Sequence, residues 1–449
     1  MRSRTLTRIT ALTLFVGAIT LFATLAIPDQ LAAKPPQHTR YELIDLNRLG
    51  GPNGYLESFP PETIINSQGA MVGFADTLAP DHFFPNCFTG DCFVAHAFIW
   101  QRGVVTDLGS LAGSGYSSFG SAINARGEVV GASQNGQIDP LTGFPEAPAV
   151  LWENGIINLV GTLGGNQSVA NAINNGGQVV GSALNAIPDP LSNNFCLTFN
   201  FFPAATQAHA FRWTEAKGMQ DLGTLGGPDS TAVLVNESGQ ITGMSYTNAT
   251  VNPNTGFATL EPFFWENGKM VDIGTLGGTF GYPLYMNNRG QVVGISNLAG
   301  DQTNHPFLWD RGSLKDLGTL GGDNGLAEWI NDAGEVVGEA DLPGSHAHDA
   351  FLWKNGVITD LGNLGRTSFA YAINSRGQVV GHSKLADGTF HAFLWEKGGP
   401  MVDLNSLVSP SSNITVNEAF NINDRGEIAG LGILANGDQH AILLVPTGE

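Results

Sequence analysis

The sequence is poor in charge, in basic residues and in cysteine, and each shortage excludes a class of function. Only 13% of the 449 residues are charged, and 40 acidic residues face 20 basic ones. Such a surface repels phosphate backbones, so nucleic-acid binding is not expected. The three cysteines lack both the C-x-x-C spacing and the fourth ligand of a zinc site. No phosphate loop, nucleophile elbow or metal motif is present, so we expect no metal and no cofactor.

Amphipathic helical periodicity is missing as well, whereas a long pattern recurs. From Tyr41 to the C-terminus three phrases repeat eight times in the same order, and they read roughly DLGTLGG, INxxGQVVG and HAFLWxxG. A period of 43 to 62 residues separates the asparagines of the second phrase: Asn66, Asn124, Asn174, Asn236, Asn287, Asn331, Asn374 and Asn423. Propeller blades have a period of roughly 40 to 50 residues. We therefore expect an all-β fold, a β-propeller of eight four-stranded blades, with seven as the alternative count.

Each phrase predicts a strand or a tight turn. Asn-x-x-Gly, as in Asn124 to Gly127, suits a type I turn with glycine in the left-handed position, and the β-branched and aromatic stretches suit strands. A calcium loop would need a denser run of acidic oxygens. The histidines that open the third phrase occur once per blade, so we interpret them as strand caps or loop contacts: His96, His209, His305, His391 and His440. The repeated tryptophans are interpreted as core.

The two chain ends are expected to close the ring of blades. Tyr41–Leu46 matches the fourth strand of a unit and His440–Val445 matches the third, so the last unit lacks the strand with which the repeats begin. Pairing of these two segments would remove two exposed sheet edges. The repeat domain is thus expected to span residues 41–449.

The N-terminus has the layout of an export signal. The segment MRSRTLTR is basic, and Ile9–Ile27 is a run of 19 residues without charge. We expect residues 1–33 to be a signal peptide and residues 34–40 a linker, which would place the repeats in the periplasm, at the cell surface or in the medium. Because the run is long enough to span a bilayer, an uncleaved anchor is the alternative, and membrane contact is expected only in that case.

The three phrases together resemble the bacterial HAF family of extracellular repeat proteins. The resemblance rests on His391-Ala392-Phe393 and on the Asp316–Gly322 and Asn374–Gly381 phrases, and it covers nearly the whole repeat region. It implies a secreted or surface-located repeat protein, and it brings no catalytic residues to transfer. One departure, Pro148-Ala149-Val150 in place of His-Ala-Phe in the second unit, affects local packing only.

Length variation is concentrated in the loops between second and third strands. These loops are long in units one and three, at Phe74–Ala95 and Ser182–Ala208, and they contain all three cysteines. We expect a disulfide between Cys87 and Cys92, with unpaired thiols as the alternative, and Cys196 is left over. Because loops on a rigid scaffold often bind partners, their aromatic residues are candidate contacts, with tolerated insertion as the alternative. These candidates are Phe83, Phe84, Phe199, Phe201 and Phe202.

The innermost strands mostly carry small residues ahead of Ile-Asn, such as Ala122, and three units depart from this pattern. Unit six has Glu328 and Trp329, and units five and seven have Tyr285 and Tyr371. These larger side chains are candidate binding residues at the central channel. The alternative is that they plug the channel.

These features favour a non-enzymatic scaffold that binds a protein or glycan partner through the face with the long loops. The alternative is a hydrolase or lyase acting on extracellular carbohydrate, which needs a cluster of carboxylates. The nearest acids belong to separate blades: Glu57, Glu62, Glu328 and Glu418. A structural surface-layer or matrix component is a further alternative. No catalytic residue is assigned.

Overall fold

The computed structural model describes residues 39–56, 63–189, 191, 203–344, 347–409 and 412–447. Thr39–Glu449 is one compact unit. The secondary structure in these ranges consists of β-strands and a single 3₁₀ turn, Leu404–Ser406. No helix in this part of the chain has the length and apolarity to cross a membrane. The predicted signal or anchor at residues 1–33 lies outside the described residues.

The strands fall into groups of four, numbered here along the chain. The first strand, β1, Arg40–Asp45, belongs to the last group. Groups 1 to 4 contain β2 Gly50–Tyr55, β3 Met71–Pro80, β4 Phe93–Gln101 and β5 Val104–Asp107; β6 Ser118–Ile123, β7 Val129–Ser133, β8 Ala149–Glu153 and β9 Ile156–Gly161; β10 Gly164–Ile173, β11 Val179–Pro188, β12 Thr206–Thr214 and β13 Gly218–Asp221; and β14 Ser230–Val235, β15 Ile241–Tyr246, β16 Leu260–Glu266 and β17 Lys269–Asp272. Groups 5 to 8 contain β18 Gly277–Met286, β19 Val292–Leu298, β20 Asn304–Asp310 and β21 Ser313–Asp316; β22 Gly325–Ile330, β23 Val336–Asp341, β24 His348–Lys354 and β25 Val357–Asp360; β26 Thr367–Ile373, β27 Val379–Lys384, β28 Phe390–Trp395 and β29 Val402–Asp403; and β30 Ile414–Ile422, β31 Ile428–Leu434 and β32 Gln439–Thr447, followed by β1.

Hydrogen bonding joins these groups into seven sheets within the described residues. Six sheets have four strands, and one sheet has eight because groups 4 and 5 are linked by a single parallel pair, Leu260 with Phe280. Inside each group the consecutive strands are antiparallel. The predicted all-β class and the four-stranded antiparallel unit are confirmed.

The two ends of the described chain share one sheet. Strand β1 pairs with β32 in antiparallel register, from Arg40 opposite Thr447 to Asp45 opposite Ile442. Group 8 therefore takes its fourth strand from the beginning of the repeats. This pairing covers the outer edge that β32 would otherwise expose.

In groups 2 to 8 a β-bulge interrupts the first strand three residues before the asparagine. The extra residue is Glu328 in group 6, Tyr371 in group 7 and Phe420 in group 8. The glycine of Val-Val-Gly is required here by close packing, since a Cβ on Gly381 would lie 1.9 Å from the Phe369 carbonyl oxygen. The bulge matters for function because the side chain of the extra residue points in a different direction from the side chain of the residue that follows it.

The repeated asparagines make the contacts that connect neighbouring groups. In group 7, Asn374 Oδ1 accepts hydrogen bonds from the backbone N–H groups of Arg376 and Gln378, both at 3.0 Å, and Gly377 has φ +77°. The Nδ2 atom of Asn374 also donates to the backbone carbonyl of Asn423 in the next group, at 3.0 Å. The sequence predicted the turn but not this second bond.

The same bond recurs at every one of the eight asparagines. The Nδ2-to-carbonyl bonds run from Asn66 to Asn124, Asn174, Asn236, Asn287, Asn331, Asn374 and Asn423, and then from Asn423 back to Asn66. The lengths lie between 2.8 Å at Asn66 and 3.2 Å at Asn236. The eight bonds therefore form a closed cycle, here called the asparagine cycle.

Replacing Asn374 by alanine should destabilise the fold by about 3 kcal/mol, because the buried backbone N–H and carbonyl groups it bonds would lose their partners. The neighbouring Ser375 is exposed. Ser375→Ala should therefore stay within about 0.5 kcal/mol of wild type. Urea denaturation monitored by tryptophan fluorescence measures both variants. Equal midpoints for the two variants would contradict a supporting role for the asparagine cycle.

Candidate functional site

The histidines of the third phrase bond within their own groups. Each Nδ1 atom lies 2.7–3.0 Å from the aspartate of the following Asp-Leu phrase, and the pairs are His96–Asp107, His209–Asp221, His305–Asp316, His391–Asp403 and His440–Asp45. Each pair ties the third strand of a group to the fourth. The structural interpretation of these histidines is confirmed, and they are not brought together as a metal site.

Two groups carry an acid where five groups carry histidine. Glu261 faces Asp272 in group 4, and burial followed by the Asp272 hydrogen bond and charge raises the pKa of Glu261 to about 7. In group 6 the Asp349 carboxylate accepts two hydrogen bonds from Asn363 Nδ2, at 2.9 and 3.0 Å, and burial raises its pKa to about 6. In these two groups the aspartate of the fourth strand therefore has an acid as its neighbour instead of a histidine, so that two groups of like charge lie close together.

Groups 6 to 8 break the repeat at positions that face one another. The side chains concerned are called the acid–tyrosine cluster: Glu328, Glu339, Tyr371, His382 and Glu418. Two of them are the extra residues of the bulges described above, Glu328 and Tyr371. Acids and a tyrosine thus replace the small or apolar residues found there in groups 2 and 4, Ser121 and Val233.

Tyr371 lies at the centre of the acid–tyrosine cluster. Its ring lies 4.6 Å from Phe369, 5.4 Å from His382 and 5.0 Å from Phe420, measured between ring centroids. No described residue hydrogen-bonds its hydroxyl group. Burial raises the pKa of Tyr371, and three negative charges raise it further: Glu418, Glu328 and Glu339. The ring is therefore held by packing while its hydroxyl faces acids.

Glu328 and Glu418 come from separate groups, yet the charges of both raise the pKa of Tyr371. Glu328 is only 3% exposed, and burial, followed by the charge of Glu339, raises its pKa to about 8. Burial also raises the pKa of Glu418. Neither carboxyl group is hydrogen-bonded by a described residue. The sequence placed these acids in different blades, and the fold brings them to one tyrosine.

The cluster extends toward the end of the groups that carries the second-to-third-strand loops. His348, the first residue of β24, places Nε2 3.2 Å from Glu339 Oε2. Burial raises the pKa of Glu339 to about 7, and the charge of Asp341 adds to this. The His382 ring lies 5.0 Å from Phe390, the first residue of β28, and burial lowers the pKa of His382 to about 4. His382 is therefore neutral at physiological pH.

Sequence reasoning missed Glu339 and His382, although a signal was present. Both residues follow the Val-Val-Gly glycine. The other groups carry uncharged residues at that position: Phe74, Ala132, Ser182, Met244, Ile295 and Leu431. A comparison of the repeats at this column would have identified groups 6 and 7 as unusual.

Tyr285 and Trp329 belong to a different place, a cavity of about 320 Å³ bordered by the asparagine cycle. Their rings stack with centroids 3.6 Å apart. Burial raises the pKa of Tyr285, whose hydroxyl interacts with Thr63 in group 1. The pair therefore reaches from groups 5 and 6 to group 1, which matches the plug interpretation for these two residues. Glu328 and Tyr371 do not line this cavity, because the bulge turns them elsewhere.

The long loop of group 1 is closed by a disulfide between Cys87 and Cys92, whose Cα atoms are 5.1 Å apart. Phe84 in this loop is 77% exposed, whereas the Phe83 ring lies 4.2 Å from His82 and 6.0 Å from Tyr116. A binding role for these aromatics stays a prediction. The candidates Phe199, Phe201 and Phe202, as well as Cys196, lie outside the described residues.

Comparison with known proteins finds distant similarity to solved structures. No protein-family model and no curated protein matches the sequence. The chain is similar to the β-propeller domain of the Trilobed protease from Pyrococcus furiosus, with 10% identity and a TM-score of 0.44 over 78% of this chain and 95% of that one. It is also similar to a Mycobacterium tuberculosis puromycin-hydrolyzing peptidase, with 11% identity and a TM-score of 0.45 over 90% of this chain and 64% of that one. A third similar structure is Porphyromonas gingivalis dipeptidyl peptidase 4, with 11% identity and a TM-score of 0.48 over 82% of this chain and 56% of that one. The chain thus spans less than two thirds of either peptidase. With identities near 10% and TM-scores below 0.5, these likenesses assign this chain neither a fold nor an activity.

The acid pair of group 4 predicts a pH-dependent stability. Because the pKa of Glu261 rises from 4.5 to about 7 on folding, the folded state binds the proton more tightly, and stability falls as the pH rises through this window. Glu261→Gln removes the repulsion from Asp272, so its melting temperature should exceed that of wild type by about 2 °C at pH 8 and match it near pH 4.

The control is Glu266→Gln, which changes the same net charge at an exposed position on β16. Differential scanning fluorimetry across this pH range compares the three proteins. A Glu261→Gln advantage that is the same at both pH values would argue against the acid pair as its cause.

Proposed function

We propose that the protein is an exported, non-enzymatic binding scaffold built as an eight-bladed β-propeller. The asparagine cycle supports eight blades, because each of its eight members belongs to a different strand group. The pairing of β1 with β32 supports closure by the first strand. The basic start and the apolar run of the sequence support export to the periplasm, the cell surface or the medium, as does the resemblance to the HAF family.

The partner, a glycan or a protein, binds at the end of the propeller that carries the second-to-third-strand loops. The acid–tyrosine cluster opens toward this end, since His348 and Phe390 are the first residues after such loops. The disulfide-closed loop of group 1, with its exposed Phe84, connects second and third strands as well. Loops on a rigid scaffold are frequent binding sites.

The observation that carries this proposal is the set of polar groups around Tyr371 that no described residue satisfies. Buried polar groups are normally hydrogen-bonded, and an unmade bond costs about 1–3 kcal/mol. His382 Nδ1 is a buried atom without a hydrogen-bond partner, and Glu328, a residue that is 3% exposed, accepts no hydrogen bond from a described residue. Such groups are expected where a bound partner supplies the missing hydrogen bonds.

A second candidate function is hydrolysis of an extracellular carbohydrate. It is favoured by the raised pKa of Glu328, about 8, which keeps this carboxyl group protonated at neutral pH as a general acid must be. Glu418 would be the second carboxyl group. Release of reducing ends from a polysaccharide, lost in Glu328→Gln, would favour this function over binding alone.

Replacing Tyr371 by phenylalanine should weaken partner binding about tenfold, since the ring contacts remain and only the hydroxyl group that would bond the partner is lost. Binding partners are first identified with the full-length protein on a glycan array and by affinity capture from the producing cells. Affinities of both proteins are then measured by biolayer interferometry.

Tyr285→Phe is the matched control, because Tyr285 lies in the cavity bordered by the asparagine cycle. Its affinity should equal that of wild type. If Tyr371→Phe binds every identified partner as tightly as wild type does, the acid–tyrosine cluster is not the binding site.

A further inference from the structure

Three polar groups near Tyr371 share the property that no described residue hydrogen-bonds them. They are the carboxyl groups of Glu328 and Glu418 and the Nδ1 atom of His382. These groups come from three neighbouring strand groups. A ligand placed among them would have to supply several hydrogen-bonding atoms at once.

The acid–tyrosine cluster also lacks a compensating cation within the described residues. The charged groups that act on Glu328 and Tyr371 are acids, Glu339 from β23 and Glu418 from β30. The other titratable groups of the surroundings are Asp341, which acts on Glu339, His382 from β27, which packs on Tyr371, and His348 from β24, which contacts Glu339. His348 is engaged by Glu339, and Lys384 Nζ lies over the Phe390 ring, 5.3 Å from its centroid. Neither lysine nor arginine forms an ion pair with the three glutamates of the cluster in this part of the chain.

We propose that the acid–tyrosine cluster binds the ammonium group of an amino sugar, with the Glu328 carboxylate as its direct contact. This inference rests on the proposed binding function of the same site and names the ligand chemistry. An ammonium group offers three N–H donors and one positive charge. It therefore supplies both things that the cluster lacks, hydrogen-bond donors and a positive charge.

A sugar suits the remaining polar group better than a lysine side chain does. His382 Nδ1 needs a donor or an acceptor according to its tautomer. Sugar hydroxyl groups supply both, whereas a lysine side chain carries no polar atom besides its ammonium group.

Binding of a cation should release protons from the protein. Burial and the neighbouring acids keep Glu328 largely protonated near pH 6, and an ammonium group beside it stabilises the ionised form. The proton then passes to the buffer while the ligand keeps its own. A neutral N-acetyl group would not drive this ionisation.

The test is isothermal titration calorimetry at pH 6 with the full-length protein and two trimers, glucosamine and N-acetylglucosamine. The glucosamine trimer should bind at least about tenfold more tightly. Titration in buffers of different ionisation enthalpy should show release of up to about one proton per ligand. Glu328→Gln should lose about tenfold in affinity for glucosamine and abolish proton release, with N-acetylglucosamine unaffected.

Glu237→Gln is the matched control, since it makes the same substitution at an exposed residue that borders the cavity rather than the acid–tyrosine cluster. It should bind the glucosamine trimer like wild type. Folding of Glu328→Gln is checked by its melting temperature at pH 8, which should equal or exceed that of wild type because a buried charge is removed. Equal affinities for the two trimers, or equally tight binding of trilysine, would overturn the inference.

The two proposals fail in different ways. If Tyr371→Phe weakens binding of a partner without amino groups, the cluster is a binding site and the amino-sugar inference is wrong. If the glucosamine trimer binds but neither Tyr371→Phe nor Glu328→Gln changes its affinity, the site itself is misplaced and both proposals are wrong.

Discussion

One amide-to-carbonyl hydrogen bond, repeated eight times, connects the units of this fold. The Asn374 side chain holds its own turn through Oδ1 and reaches the next group through Nδ2. A single residue type thereby fixes a local conformation and the spacing between neighbours. Because the amide is buried, substitutes that keep only one of the two roles leave an unsatisfied partner. The arrangement explains why asparagine recurs where any turn-forming residue would satisfy the turn alone.

The repeated residues and the exceptional residues serve different purposes. His–Asp pairs, buried phenylalanines and the Val-Val-Gly glycine hold strands within groups. Glu328, Tyr371 and Glu418 add nothing of this kind, and the two glutamates are acids without a basic partner, as Glu261 and Asp349 are in groups 4 and 6. The regular scaffold tolerates this local loss of stability, because the loss at Glu328, Tyr371 and Glu418 is confined to three groups whereas stabilising contacts recur in all eight groups.

Much of the fold could be predicted from sequence, and less of the site. The phrases indicate strands, turns and the offset of the two ends because these depend on local propensity and on the repeat period. The meeting of Glu328 with Glu418 depends on how groups 6 to 8 pack, which no local pattern contains. The bulge in the first strand of group 6 also limits how much of the site the sequence predicts. It places Trp329 on the cavity and the preceding Glu328 in the acid–tyrosine cluster, whereas the sequence treats the two residues as one feature.

The pairing of β1 with β32 has a mechanical consequence. Arg40 lies opposite Thr447, so both ends of the paired segments are at the same end of the ladder. A force applied between the two chain ends would open the ladder one hydrogen bond at a time, starting at this pair, and such unzipping needs less force than sliding the strands past each other. The pair of Arg40 and Thr447 is therefore the point at which tension on either chain end would begin to open this sheet.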